Sequence, residues 1–299
     1  MAILITGGSG FIGTRLTREL LDMDHIVIVV DIRPPQISNK NLFFIRGDLT
    51  LGPIPHHVFE NVDAVFHLVG SSIFKRWSKR IKNEIYRSRI ASSENLVKSI
   101  QLSKHKPRVV IGTSTVGYYG NRDQEFLVES SVPGDTFYAR TAVDMENTLN
   151  RLQSEGVRVV LFRAASILGK GSILYLTTAF ARLFLGVWSG TGNESVPWIH
   201  KKDFIRAYMA AFEDNSWHGA YNIAAPQIVT NKLFIQSIAR IVHRPVFYLP
   251  KRVIRFMFGE FSEELLSSRR VGSERLAVHG FRFSFPTLKE ALIDCLTKK

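Results

Sequence analysis

Short apolar runs alternate with amphipathic stretches through the first two-thirds of the chain. The runs Ala2 to Thr6, Ile26 to Asp31, Leu42 to Arg46, Ala64 to Leu68, Arg108 to Thr113 and Arg158 to Arg163 are predicted strands. Their near-continuous Val, Ile and Leu content suits strands covered on both faces. Between them, Gly10 to Asp22, about Ser78 to Leu102, and Tyr138 to Glu155 carry apolar residues at spacings of three and four, the mark of amphipathic helices. Strands joined by crossover helices build a doubly wound parallel sheet of the α/β class. Right-handed crossovers then gather the C-terminal ends of the strands on one edge, where ligands bind.

After about Ala164 the rhythm changes. Ser172 to Gly186 reads as a helix, Tyr221-Asn222-Ile223 as a short strand and Asn231 to Val242 as an amphipathic helix; from Pro250 onward, helical pattern alternates with turns such as His279-Gly280. This predicts a larger domain of residues 1–163 and about 190–224, and a smaller, discontinuous α+β domain of about 164–189 and 225–299. No apolar run approaches the roughly 20 residues that span a bilayer; Phe180 to Trp188 is broken by Arg182 and Gly186. The first residues lack a basic flank and run straight into glycines, as a buried strand does and a secretory signal does not. A cytoplasmic protein with no membrane partner is the expectation.

With 299 residues, 45% of them hydrophobic, the chain can bury a sizeable core. Its single cysteine, Cys295, forms no internal disulfide and reads as a plain thiol in an apolar helical pattern. The formal charge is +13, concentrated between Lys75 and Arg108. That stretch could attract a phosphorylated ligand or nucleic acid. It lacks an aromatic-interleaved recognition module, so solvated helix faces are the favoured reading and nucleic acid is not an expected partner.

The candidate chemistry begins at Thr6-Gly7-Gly8-Ser9-Gly10-Phe11-Ile12-Gly13, between the first strand and the first helix. Gly7 permits a tight turn, Gly10 lets backbone approach a pyrophosphate, and Gly13 permits close packing of helix on strand. The helix N-terminus adds free N–H groups and a favourable dipole. The second strand ends in Asp31, placed to accept hydrogen bonds from the adenosine ribose hydroxyls and to repel a 2′-phosphate. Arg33 is a counter-signal, since its guanidinium could pair with that phosphate. NAD is therefore favoured over NADP, and the fold is expected to be Rossmann-like.

With this turn the chain resembles the extended short-chain dehydrogenase/reductase superfamily, whose first turn is Thr-Gly-Gly-x-Gly-x-x-Gly. Arg46-Gly47-Asp48-Leu49 is similar to the superfamily's Asp-Leu pair near the adenine, and Val65 to Gly70 to its strand-end segment beside the cofactor. More narrowly, the chain looks like the atypical "epimerase family" proteins that carry a characteristic C-terminal domain of unknown function. The matching pieces are Arg76-Trp77, Ser88-Arg89, Gly117-Tyr118-Tyr119-Gly120, the segments Trp198 to Asp203 and Tyr221 to Pro226, and Gly280-Phe281-Arg282-Phe283. Such relatives often have Arg just after the second strand, where this chain has Asp31-Ile32-Arg33.

The resemblance implies a cofactor track along Gly7, Gly10, Phe11, Ile12, Gly13, Asp31, Arg33, Asp48, Leu49, Leu68, Val69, Gly70, Thr113, Arg163 and Ala165. It also implies catalysis by a Ser or Thr that holds the substrate oxygen, a Tyr that moves its proton, and a Lys four residues after that Tyr. Thr115 falls at the hydroxyl position and Tyr138 at the acid/base position. Ala142 stands where the Lys belongs. Without that cation Tyr138 has no evident reason to be acidic, and Arg140 points to a different helical face. Tyr138 could still donate as a neutral phenol, Tyr118 or Tyr119 could take over, or Tyr138 is an ordinary aromatic at a helix start.

Arg163 is either a nicotinamide-side contact or a buried ion-pair partner, with the second favoured because a strand-end arginine needs charge compensation. His200 and Asp203 have no third ligand at suitable spacing, so no metal is expected and a structural lock is. His67 reads as a packed core residue. Arg269, Arg270 and Arg275 could recognise an anion, or pair with Glu260, Glu263, Glu264 and Glu274.

The leading reading is an NAD(P)-binding oxidoreductase or epimerase. It would work by hydride transfer on a hydroxyl or carbonyl compound, with sugar nucleotides among the candidates, held in the cleft between the domains. Superfamily habit makes an oligomer plausible, a homodimer among the options. The alternative is a catalytically silent nucleotide-binding regulator or redox sensor that lost turnover with the lysine.

Overall fold

The structure is a computed structural model that describes residues 1–169, 172, 178 and 186–297. Its centre is a seven-stranded sheet of β1 (Ala2–Thr6), β2 (Ile26–Asp31), β3 (Leu42–Arg46), β4 (Ala64–His67), β5 (Val109–Thr115), β7 (Arg158–Ala164) and β11 (Gly219–Ile223). The strand order is β11-β7-β5-β4-β1-β2-β3, and every neighbouring pair is parallel. This is the expected Rossmann-like, doubly wound topology. β5 runs two residues further than its apolar pattern suggested, which carries Thr115 to the sheet edge.

Alternation along each strand explains the near-continuous apolar runs. Ile3 and Ile5 enter one core, while Leu4 between them enters another on the opposite face. Ala64 and Phe66 against Val65, and Val160 and Phe162 against Val159 and Leu161, divide in the same way. Helices α1 (Gly13–Asp22) and α4 (Lys201–Glu213) cover the first face through Leu16, Leu20, Phe204, Tyr208 and Phe212. Helices α2 (Lys79–Leu102) and α3 (Phe137–Asn150) cover the second through Leu96, Val97, Ile100 and Leu149. Ser78 caps α2 by accepting from the Ile81 N–H, and Thr136 caps α3 by accepting from the Ala139 N–H. The third predicted helix ends earlier as α-helix, and Arg151–Glu155 finishes it as a 3-10 turn closed by Gly156 at φ +76°.

Three two-stranded parallel ribbons tie the rest of the chain to this frame. β6 (Phe126–Leu127) pairs with β13 (Arg270–Val271), β8 (Ser166–Leu168) with β10 (Trp198–His200), and β9 (Gly186–Ser189) with β12 (Val246–Leu249). The remaining helices are α5 (Asn231–Ile241), α6 (Lys251–Phe258), α7 (Phe261–Leu265), α8 (Glu274–Val278) and α9 (Leu288–Thr297). The helix expected over Ser172 to Gly186 lies almost wholly outside the described residues. Among the described residues no helix is long and apolar enough to cross a membrane.

His200 and Asp203 fasten the C-terminal tail. His200 Nδ1 accepts from the Lys202 N–H, its Nε2 faces Asp294, and its ring lies on Phe285 at 3.8 Å. Asp203, fully buried, accepts from the Ser284 and Phe285 N–H groups. The pair therefore has the structural role expected of it. Cys295 is half-buried, and burial together with nearby Asp294 pushes its thiol up to about 12.

Candidate active site

The order of strands places β1 and β4 side by side, with their crossovers departing to opposite faces of the sheet. A crevice opens at such a switch point. Here it is a cavity of about 790 Å³ that takes in Gly7, Ser9 and Gly10 after β1, Asp31 to Pro34 after β2, Gly47 to Thr50 after β3, and Leu68 to Ser71 after β4.

The glycine turn shapes one wall. Gly7 has φ +76°, and a Cβ there would stand 3.1 Å from the carbonyl carbon and oxygen of Leu68. A Cβ on Gly13 would stand 2.4 Å from the Gly7 oxygen, so α1 can approach β1 this closely only without a side chain at that position. No side chain caps α1, its first turn has no acid, and the Phe11 and Ile12 N–H groups have no acceptor among the described residues. Free donors at a helix N-terminus, with the positive dipole end behind them, suit a diphosphate. The ring of Phe11 lies beneath Lys201, whose Nζ is 4.4 Å from its centroid.

At the far end of this wall the Asp31 carboxylate accepts from the Ser9 N–H at 3.0 Å and the Ile32 N–H at 2.7 Å. With a longer bond from the Arg33 N–H at 3.5 Å, those two bonds fix its orientation and leave lone pairs for a ligand. Arg33 lines the same cavity, as does Arg18. Asp48 holds its own turn by accepting from the Thr50 N–H and hydroxyl, and Leu49 is buried beside it. The structure thus gathers Gly7, Gly10, Asp31, Arg33, Asp48, Leu49, Leu68, Val69 and Gly70 around one space.

Thr115 and Tyr138 meet a short distance away. Thr115 caps the turn Val116–Tyr119 by accepting from the Gly117 N–H at 3.0 Å. A Cβ on Gly117 would lie 2.5 Å from the Tyr138 ring and 3.3 Å from the Thr115 hydroxyl oxygen, so this glycine is where the two side chains converge. Tyr138 is buried in a small aromatic cluster with Trp77, Ile85 and Phe261. Its hydroxyl has no hydrogen-bond partner among the described residues, yet is not sealed from solvent. Ala142 is buried four residues on, and Arg140 is exposed on another face.

Other side chains at this end are committed. Arg163 donates through Nε and Nη2 to the two oxygens of Glu146, at 3.0 and 2.8 Å, and through Nη1 to the Tyr119 hydroxyl and the Glu129 carbonyl. Burial alone would lower its pKa; the Glu146 carboxylate outweighs that and raises it. Of the two roles open to Arg163, its geometry is that of the ion pair. Tyr119 is fully buried, donates to Asn222 Oδ1 at 2.7 Å and has a pKa raised by burial, so it cannot replace Tyr138. Tyr118 is half-buried with its ring under the Arg163 guanidinium, 3.4 Å from centroid to Cζ. Thr113 shares a hydrogen bond with the Tyr208 hydroxyl, and Ala165 is buried. Neither of these two borders the cavity.

His67 is packed between Thr6 and Ser93, and burial lowers its pKa to about 4, so it is neutral in the core. Arg269 pairs with Glu264 and donates to the Gly120 carbonyl, Arg275 donates to the Ala220 and His218 carbonyls, and Arg270 lies over the Phe126 ring. The basic stretch includes pairs of Lys75 with Glu84, Lys82 with Glu260 and Lys106 with Glu155. Sequence reasoning missed Thr14, Arg18, Ser71 and Ser88 in the cavity wall. Thr14 and Arg18 carried a usable signal, being one turn apart on the helix that leaves the glycine turn.

Comparison with known proteins agrees with this fold. The sequence matches the NAD dependent epimerase/dehydratase family over residues 3–224 and a domain of unknown function over residues 249–295. It is 31% identical to the epimerase family protein YfhF of Bacillus subtilis, over all of this chain and 99% of that one. The human epimerase family protein SDR39U1, solved with NADPH, superposes with a TM-score of 0.89 at 29% identity, with both chains fully covered. A nucleoside-diphosphate sugar epimerase of Corynebacterium glutamicum gives a TM-score of 0.80 at 25% identity, covering 99% of this chain and 58% of that one.

Proposed function

The chain belongs to the NAD dependent epimerase/dehydratase family, and from that premise we propose that it binds a nicotinamide dinucleotide and acts by reversible hydride transfer on a hydroxyl or carbonyl group of a nucleotide sugar. The observation that carries this reading is the cavity at the β1/β4 switch point, walled by Gly7, Ser9 and Gly10 with the unpaired N–H groups of Phe11 and Ile12 following directly in the chain, and with Tyr138, which meets Thr115 at Gly117, on the far side of Arg89 from Ser71. The similarity to a nucleoside-diphosphate sugar epimerase supports the substrate class.

When bound, the nicotinamide supplies a hydride donor and acceptor that no side chain provides. The residues of this chain do the rest. Phe11 and Ile12 hold the diphosphate through their N–H groups. Asp31 accepts from the adenosine ribose, which favours NAD; Arg18 and Arg33 beside it are the groups that would receive a 2′-phosphate, as NADPH requires. Thr115 holds the substrate oxygen, and the unpartnered Tyr138 hydroxyl gives or takes its proton. The substrate lies between the sheet domain, residues 1–163 with about 190–224, and the smaller domain of about 164–189 and 225–299.

The test is incubation of the purified protein with NAD or NADP and a panel of nucleotide sugars, following absorbance of the reduced cofactor and formation of epimers. Turnover that Tyr138→Phe abolishes is the expected result. Ala142 favours a second reading, a nucleotide-binding regulator or redox sensor without turnover. Tight binding of the dinucleotide with no reaction on any member of the panel, and none after Ala142→Lys, would establish that reading instead.

A further inference from the structure

Arg89 is a half-buried residue of α2 with no carboxylate in ion-pair reach among the described residues. Its Nη1 donates to the Ile85 carbonyl at 3.2 Å and the Ser71 carbonyl at 3.3 Å, and its Nη2 donates to the same Ser71 carbonyl at 3.3 Å. Its Nε makes no hydrogen bond among the described residues. The group sits directly behind the end of the cavity, because a Cβ on Gly70 would be 3.3 Å from Nη2, and Gly70, Ser71 and Ser88 all line that space. On its other side Cζ is 5.6 Å from the centroid of the Tyr138 ring.

The described residues hold other arginines in two ways: the half-buried Arg158 and Arg275 rest on backbone carbonyls, as Arg89 does, while two buried ones face carboxylates. Arg163 is matched by Glu146 and Arg269 by Glu264. The acceptors around Arg89, two carbonyls and the Ser88 hydroxyl at 3.5 Å from Nη1, leave one Nη2 proton and the Nε proton over, and its place sets it apart. Arg89 keeps those donors at the point where the nucleotide cavity gives way to Tyr138. On α3, the position one turn after Tyr138 is the uncharged Ala142, buried and on the same face. α2 lies against α3, with Tyr86 donating to Asp144 across the contact.

We propose that Arg89 is the cation of the reaction centre, reaching from α2 to supply the nicotinamide half of the cleft with the charge that Ala142 withholds from α3. It binds oxygen atoms of the nicotinamide ribose through its spare N–H groups and holds Tyr138 in place with the face of its guanidinium. The assignment rests on the dinucleotide reading above and adds the group that fixes the reactive half of the cofactor.

The full-length protein is titrated with NADH, followed by nicotinamide fluorescence, and with ADP, which carries the adenosine half alone, followed by calorimetry. Arg89→Gln is expected to weaken NADH by about tenfold or more, as loss of a charged hydrogen-bond donor does, and to leave ADP unchanged. Ala142→Lys introduced into Arg89→Gln is expected to restore NADH binding. A structural prop for the Ser71 loop predicts equal losses for NADH and ADP and no rescue by Ala142→Lys; either result overturns the proposal, as does unchanged NADH affinity in Arg89→Gln. If Arg89→Gln does not fold, Arg89→Lys keeps the charge without the fork, and a loss confined to NADH is the supporting outcome. Failure of the wild-type protein to bind either NADH or NADPH removes the dinucleotide reading itself, whereas normal wild-type binding with an indifferent Arg89→Gln removes only the role of Arg89.

Discussion

The two ends of the crevice are built differently. The glycine-turn end is made of backbone: the N–H groups of Phe11 and Ile12 have no acceptor among the described residues, its shape comes from absent side chains, and the oriented carboxylate of Asp31 still has lone pairs to offer. The other end is made of side chains bonded to one another, with Arg163, Glu146, Tyr119 and Asn222 forming a closed buried network below Thr115 and Tyr138. One end is prepared for a ligand, and the other spends most of its polar groups on holding the fold. Thr115, Tyr138 and Arg89 are what remains available there.

The contrast breaks first at the network. Glu146→Ala leaves the Arg163 guanidinium buried without its counter-charge, and the expected loss of stability is about 3–5 kcal/mol. Urea unfolding measures it, and Arg163→Met added to Glu146→Ala should recover part of the loss. A cost below about 1 kcal/mol, as for a surface pair, would mean the network is not closed.

The next largest effect is one of pH. His67 has a folded-state pKa near 4 against 6.5 for the free side chain. Above 6.5 the ring is neutral in both states and costs nothing. As pH falls from 6.5 toward 4, the unfolded chain takes up a proton that the folded one refuses, so stability declines by about 3 kcal/mol across that window. The unfolding free energy of His67→Gln should lose this part of the pH dependence. Parallel curves for the two proteins would show that the ring is not neutral in the fold.

At the glycine-turn end the effects are on binding. Gly13→Ala forces a methyl group to within 2.4 Å of the Gly7 oxygen, an overpacking of about 1–3 kcal/mol that should appear as roughly ten- to a hundredfold weaker NADH binding. A fluorescence titration decides it, and unaltered affinity would detach the turn from the ligand. The smallest change sharpens the choice of cofactor. Asp31→Asn removes one negative charge from beside Arg18 and Arg33 and should move the ratio of NADP to NAD affinity upward by about tenfold; an unmoved ratio would place the 2′-position elsewhere.

The backbone-built end was largely legible in the sequence because glycine spacing encodes shape directly. Gly7, Gly10 and Gly13 locate a turn, a close approach and a helix contact without reference to the rest of the fold. Arg18 escaped notice because its place in the cavity depends on which face of α1 turns toward β2. The side-chain end was less legible for the same reason on a larger scale. Tyr138 and Thr115 could be named from their neighbours, but Gly117 as their meeting point, Tyr119 as a buried donor and Arg89 as a cation behind Gly70 require three elements distant in sequence.

The sequence by itself determined the sheet, since strands buried on both faces need continuous apolar runs and their helices need a stripe at every third or fourth residue. It also determined the glycine turn, because Gly7 takes a backbone conformation that side chains disfavour and a side chain at Gly13 would meet the Gly7 oxygen. The tertiary structure alone decided which charges are spent and which are free. Arg163 and Arg89 are indistinguishable as residues, yet one lies 2.8 Å from a buried carboxylate and the other faces carbonyls and a phenol ring at the end of a cavity. The free energy of a buried charge depends on what surrounds it in space, which local sequence does not specify.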